Sequence, residues 1–185
     1  RLGCNIGGMF FNVLAYADDI VLLAPSWEAL QCLINILTSA AKAIDMSCNT
    51  NKTVCMVFNP IDRSKIVDIS FPQFTIEDVS LQFVPEFKYL GHLITHSLAD
   101  DKDILREVRN MFYRTNILVN RFSRCSTAVK VVLFKAYCIC LYDTALWRHY
   151  SKLTFKKLMS CYHKCIKIFF GYRRSDSVTN ILFNL

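Results

Sequence analysis

Residues 10–24 read Phe-Phe-Asn-Val-Leu-Ala-Tyr-Ala-Asp-Asp-Ile-Val-Leu-Leu-Ala, two apolar arms around one adjacent pair of acids, Asp18 and Asp19. Val, Ile, Phe and Tyr in the arms favour strands. Neither arm alternates cleanly, which predicts strands in a sheet covered on its other face as well. Successive residues of a straight strand point to opposite faces, so neighbouring carboxylates serve one site only at a bend. The stretch therefore predicts a tight hairpin with its tip at residues 16–19. Ala17 and Asp18 are not the Asn-Gly or Gly-X pair that such turns prefer, so backbone strain is expected there. Charges set between buried strands are costly unless a cation or donors meet them. Mg²⁺ would meet them, because it takes one or two protein carboxylates plus water and substrate phosphates. From the residues alone, a solvated turn competes with this reading, since Asp is common in turns.

The rest of the chain supplies elements around that stretch. Gly3, Gly7 and Gly8 predict a turn leading into the first strand. Pro25-Ser26 gives a stop and a helix N-cap. Trp27, Leu30, Ile34, Leu37, Ala41 and Ile44 then recur at helical spacing, so a helix over 27–44 buries one face. Asn49-Thr50-Asn51 predicts a turn before a strand at 53–58. Short apolar runs at 66–71, 74–76 and 79–84 predict a meander of short strands. Residues 87–95 predict a further strand, with Gly91 marking a bulge or a close backbone approach. Beyond Leu98 the period changes. Asp100-Asp101 can cap a helix over 102–122, and further helices are expected over 126–142 and 153–170.

Charge divides the chain. Residues 1–101 hold six basic and eleven acidic side chains, net −5, whereas 102–185 hold sixteen and four, net +12; together these give the formal +7. An acidic half joined to a strongly basic one fits a carboxylate site beside a polyanion-gripping bundle. The nine cysteines are odd in number, lack a C-x₂-C framework and fall mostly in apolar runs. Reduced core thiols, and hence a cytoplasmic or nuclear compartment, are expected. Cys161, His163 and Cys165 lack a fourth ligand at zinc-like spacing and read as ordinary residues. No stretch approaches the ~20 uncharged apolar residues that span a bilayer. The start at Arg1 and the apolar end at 181–183 point to a fragment, so the lack of a signal peptide says nothing of targeting.

Tyr16-Ala17-Asp18-Asp19 between apolar strands resembles the catalytic hairpin of reverse transcriptases. The longer string Leu-Ala-Tyr-Ala-Asp-Asp-Ile-Val-Leu-Leu at 14–23 resembles the non-LTR (LINE-type) retrotransposon enzymes in particular. Asn49, Lys52-Thr53 and Met56-Val57-Phe58 resemble the family's next segment. Phe87-Lys88-Tyr89-Leu90-Gly91-His92-Leu93-Ile94 resembles its primer-grip hairpin. The motifs keep the family order, and the resemblance covers nearly the whole chain.

This resemblance implies an α+β fold. Residues 1–98 would form the C-terminal part of a polymerase palm, an antiparallel sheet with helices on one face. Residues 99–185 would form a basic helical thumb. It also implies that Asp18 and Asp19 hold Mg²⁺, that Tyr16, Ala17 and Lys52 lie beside the incoming nucleotide, and that Tyr89, Leu90 and Gly91 contact the primer. Lys152, Lys156, Lys157, Lys164 and Lys167, interleaved with Tyr162 and Tyr172, would meet nucleic-acid backbone. The implied activity is RNA-directed DNA synthesis by two-metal nucleotidyl transfer. Its partners would be an RNA template, a DNA primer and deoxynucleoside triphosphates. A third aspartate and the nucleotide-binding fingers would precede Arg1, so the fragment alone is expected to be inactive. One alternative is a degenerate or co-opted, non-catalytic nucleic-acid-binding module; a group II intron maturase is a related third reading.

Overall fold

The computed structural model describes residues 2–58 and 72–185, and the apolar run at 66–71 lies outside them. The chain divides into two compact units between Pro85 and Glu86.

In the first unit, β1 (Cys4–Ile6) and β2 (Met9–Phe11) form a hairpin turning at Gly7-Gly8, both at positive φ. β3 (Val13–Tyr16) and β4 (Asp19–Leu22) follow as a second antiparallel hairpin. Its open end is closed by Leu23 N donating to Asn12 O at 2.8 Å. α1 (Trp27–Lys42) begins where Ser26 Oγ accepts the Ala29 N–H, which is the cap expected from Pro25-Ser26. Leu30, Leu37 and Ala41 lie on its inward side beside the buried Leu33 and Ile34, while Trp27 is exposed. The helix ends at Lys42, so Ile44 falls outside it and is exposed.

β5 (Val54–Cys55) pairs in parallel with β8 (Gln82–Phe83), and β6 (Thr75–Ile76) pairs with β7 (Val79–Ser80) around Glu77-Asp78. Ile34, Cys55, Phe74, Ile76 and Leu81 form the core, with Leu22 and Leu30 packed against it. Gln31 ties α1 to β6 twice: its amide donates to Thr75 O at 3.0 Å and accepts from Thr75 N at 3.1 Å.

Mixed α and β structure agrees with the expected class, but the single covered sheet is corrected. Every sheet among the described residues has two strands, and one pair is parallel. Val13, Leu14 and Ile20 are exposed although apolar. Among the described residues of this unit, Leu22 is the part of the β3–β4 hairpin packed against the core, and the tip at 16–19 is exposed.

The second unit opens with β9 (Glu86–Tyr89) and β10 (His92–Thr95), paired around Leu90-Gly91. The expected single strand over 87–95 is therefore two strands. Four helices follow: α2 (Asp101–Phe122), α3 (Thr127–Tyr137), α4 (Lys152–Phe170) and α5 (Val178–Asn184), with a 3₁₀ turn at Tyr142–Ala145. α4 starts at Ser151, whose hydroxyl accepts the Thr154 N–H, and stops at Gly171 with φ 79°. Ile104, Met111 and Leu118 of α2 meet Leu158, Cys161, Cys165, Ile166 and Phe169 of α4, joined by Phe134 and Ile181.

α3 ends five residues before the expected 142, and there is a physical reason. The chain leaves the helix at Cys138 and brings Asp143 to Arg106 and Trp147 to Asp103. α5, which anchors Ile181 in the core, is an element the sequence reading did not anticipate.

Candidate catalytic hairpin and nucleic-acid interface

Tyr16 pairs directly with Asp19, leaving Ala17-Asp18 as a two-residue tip. Ala17 has φ 53°, a conformation costing a non-glycine residue about 1–2 kcal/mol. The strain expected from a turn lacking glycine is thus present. Asp18 lies in the turn, Asp19 opens β4, and both are exposed. Neither carboxylate takes a hydrogen bond or ion pair from a described residue. Two adjacent, unpartnered carboxylates at a bend are the hard oxygen donors that Mg²⁺ accepts, so the donor set fits that ion. Tyr16 and Ala17 beside them are exposed as well.

Lys52 is also exposed, in the turn before β5, where its N–H donates to Asn49 O and Oδ1, each at 3.2 Å.

The second hairpin is built differently. Leu90 (φ 47°) and Gly91 (φ 96°) both adopt positive φ, the pattern of a two-residue primed turn. A Cβ on Gly91 would meet no atom within 4 Å. Glycine therefore serves the backbone conformation, not the bulge or close approach that the sequence suggested. Leu90 is half exposed at the tip, between Tyr89 and Gly91.

This hairpin is fastened to α2. Asp103, fully buried, accepts the Leu93 N–H at 2.9 Å, the Trp147 indole N–H at 2.8 Å and the Arg106 Nε–H at 2.8 Å. His92 Nδ1 lies 3.1 Å from Asp103 Oδ2 and 3.8 Å from Asp143 Oδ2. Burial pushes the Asp103 carboxyl up, but the three donors outweigh it and hold it below the usual carboxylate range. Glu86 and Lys102 add an ion pair at the other end of the hairpin.

His92, Asp103 and Asp143 have the composition of a metal site. Arg106 already supplies the positive charge there, 2.7 Å from Asp103 and 3.2 Å from Asp143, so the cluster is an ion-pair network. Burial opposes the charge on Arg106, and the facing carboxylates more than restore it.

Asp100 and Asp101 differ from the simple cap expected of them. Asp100 stands at the N-cap position of α2 without capping it through its side chain. Its Oδ2 instead accepts the Arg148 and His149 N–H groups, both at 2.7 Å. Asp101 receives Ser151 N–H and Oγ–H and the Thr154 hydroxyl. The Thr154 hydroxyl, against modest desolvation, holds the Asp101 carboxyl below the usual range. These aspartates join the start of α2 to the start of α4. Sequence reasoning missed that role, since an acid at a helix start reads the same whichever partner it takes.

Along α4, Lys152, Lys156, Lys157 and Lys164 are exposed, and Lys167 is half-buried, donating to Arg174 O at 2.8 Å. Tyr162 is not interleaved with them on the surface; it packs on Phe134, ring centroids 6.2 Å apart, against the core. Part of the basic charge is also consumed inside, where Arg106 and Arg114 face Glu107 at 2.8 and 3.6 Å. Cys161 and Cys165 are buried with sulfurs 3.8 Å apart. The hydrogen bond raises Cys161 and lowers Cys165, and their burial in the core suits inert thiols.

Over 94 residues, about half of this chain, the sequence is 30% identical to the Retrovirus-related Pol polyprotein from type-2 retrotransposable element R2DM of Drosophila melanogaster. The matched region spans 9% of that polyprotein. A distant and partial relation to non-LTR retrotransposon proteins is what this likeness supports. No family model matches the chain. No solved structure matches it either.

Proposed function

We propose that this chain is part of the RNA-directed DNA polymerase of a non-LTR retrotransposon, with residues 1–98 belonging to its palm and 99–185 to its thumb. The observation that carries this reading is the strained two-residue tip presenting Asp18 and Asp19, both exposed and without a side-chain partner among the described residues. The likeness to a retrotransposon polyprotein supports it. Asp18 and Asp19 would hold Mg²⁺, which when bound activates the primer 3′-hydroxyl and stabilises the leaving pyrophosphate. Tyr16, Ala17 and Lys52 would border the deoxynucleoside triphosphate. Tyr89, Leu90 and Gly91 would support the primer end, on a hairpin held rigid by Asp103. The exposed lysines of α4 would grip the sugar–phosphate backbone of an RNA–DNA hybrid without reading bases. Nine free thiols suit a reducing compartment, cytoplasmic or nuclear. No described helix is long and apolar enough to cross a membrane.

The test is primer extension on an RNA template by a polypeptide joining this chain to its upstream segment, with and without Asp18→Ala and Asp19→Ala. Mg²⁺-dependent extension abolished by either substitution is the expected result. Extension that survives both substitutions overturns the proposal.

A further inference from the structure

His92 opens β10 directly after the Leu90-Gly91 turn, pairs with Tyr89 across the hairpin, and has a side chain only 15% exposed. Three carboxylates surround its imidazole. Asp103 Oδ2 lies 3.1 Å and Asp143 Oδ2 3.8 Å from Nδ1, and Asp100 Oδ1 lies 4.0 Å from Nε2. The Nδ1 atom is buried and makes no hydrogen bond with a described residue. Arg106 is the cation facing these acids, 2.7 Å from Asp103 and 3.2 Å from Asp143, and it also serves Glu107. Arg148 and His149 reach Asp100 through backbone N–H groups and leave their side chains exposed. Glu86 and Lys102 pair at the far end of the hairpin. Around His92, then, three carboxylates face one guanidinium.

We propose that His92 is a proton-controlled latch: as an imidazolium it fastens the β9–β10 hairpin to α2 and to the 3₁₀ turn, and on losing its proton it lets the Leu90-Gly91 end of the hairpin loosen. A neutral imidazole carries one N–H and one lone pair. Whichever nitrogen holds the proton, the other turns its lone pair to a carboxylate, Asp100 on one side or Asp103 and Asp143 on the other. The imidazolium donates from both nitrogens and offsets part of an excess of negative charge that burial makes costly. Histidine is the side chain that changes charge between about pH 5 and 8. Docking is therefore firmest on the acid side of that range and weakens toward the basic side. Asp103 keeps the Leu93 N–H in either state, which confines the loosening to the turn and its closing pair, Tyr89 and His92. The latch itself needs no nucleic acid; its consequence, weaker support of a primer end as pH rises, rests on the proposed function.

The experiment follows amide hydrogen exchange of the full 185-residue chain by NMR, with EDTA present and intrinsic rates divided out, from about pH 6 to about pH 8. Protection of the Tyr89 and His92 amides is expected to fall on the order of tenfold relative to Met111 and Leu158 in the core, the scale of one charge-assisted hydrogen bond. His92→Gln keeps a donor without a titrating group and should remove that fall. The triple variant His96→Gln, His149→Gln, His163→Gln, which leaves His92 as the remaining histidine, should keep it. If His92→Gln does not fold, the unsubstituted chain still carries the test, because the His92 ring must titrate with the same midpoint as the loss of protection. Protection that stays flat across the range, a fall that persists in His92→Gln, or a midpoint apart from that of the His92 ring would overturn the latch. A latch that holds in a polypeptide that extends no primer would remove the polymerase reading alone.

Discussion

The indole N–H of Trp147 donates to Asp103 Oδ2 at 2.8 Å, joining residues 44 positions apart. The same carboxylate takes Leu93 of the hairpin and Arg106 of its own helix, so one buried charge fixes three elements. Removing it leaves Arg106 half-buried against Asp143 and Glu107 and strands the buried Trp147 N–H and the partly buried Leu93 N–H. Asp103→Ala is expected to destabilise the chain by about 3–5 kcal/mol, the cost of breaking a buried pair from one side. Trp147→Phe, which keeps the packing and removes one donor, is expected to cost about 1–3 kcal/mol. Urea unfolding followed by circular dichroism measures both, and an Asp103→Ala loss under 1 kcal/mol would contradict the hub role.

Acid should act through the same groups. Asp101 and Asp103 both have folded-state pKa values below the ordinary range, so each binds its proton less readily folded than unfolded. Their stabilisation is complete above the unfolded value of about 3.9 and is lost as pH falls through the lower folded values. The melting temperature should therefore drop as pH is lowered below about 4. Asp103→Asn should flatten that dependence, and an unchanged slope would exclude Asp103 as its source.

The two residues of the Leu90-Gly91 turn should respond in opposite ways. Leu90 holds φ 47° with its side chain half exposed, so Leu90→Gly relieves strain with little packing lost. A gain of about 1 kcal/mol is expected. Gly91 holds φ 96° in open space, so Gly91→Ala suffers from backbone conformation alone, and a loss of about 1–2 kcal/mol is expected. Thermal melts of the two variants check the pair of signs. A destabilised Leu90→Gly would show that packing of the leucine side chain outweighs the strain at its backbone.

Local chemistry was the legible part of this chain. The hairpin tip at 16–19, the Ser26 cap and the Leu30–Ile34 part of the buried face of α1 follow from side-chain type and spacing, whereas Trp27 and Ile44, expected on that face, are exposed. Partnerships across long sequence separations were not legible. A strand at 53–58 carries no mark that Val54–Cys55 will pair in parallel with Gln82–Phe83. Likewise Asp143, in an apolar run, gives no sign that Arg106, 37 positions earlier, will draw it out of a helix. Tyr162 looked like part of a basic face because lysines surround it in sequence, yet helical spacing turns it to Phe134. For the candidate site, the residue types at the tip were readable, but the exposure of its apolar arms was not, since burial depends on what packs there.

The last prediction separates what Asp18 and Asp19 do for the fold from what they do for an ion. Both are exposed and take no bond from a described side chain, so their removal costs the fold little. Asp18→Ala and Asp19→Ala should each shift stability by no more than about 0.5 kcal/mol, the usual range for such surface changes. Their effect should fall instead on divalent cations. Mn²⁺, a paramagnetic stand-in for Mg²⁺ at oxygen sites, should broaden the NMR signals of residues 16–20 in the unsubstituted chain and leave them sharp in the double variant. With only two protein carboxylates the affinity should be low, because Mg²⁺ sites of this kind draw their remaining ligands from water and substrate phosphates. Added deoxynucleoside triphosphate should therefore sharpen the Mn²⁺ dependence at this tip. Broadening that survives loss of both carboxylates would assign the cation elsewhere. A large loss of stability in either single variant would mean that the pair is held for structure and not for chemistry.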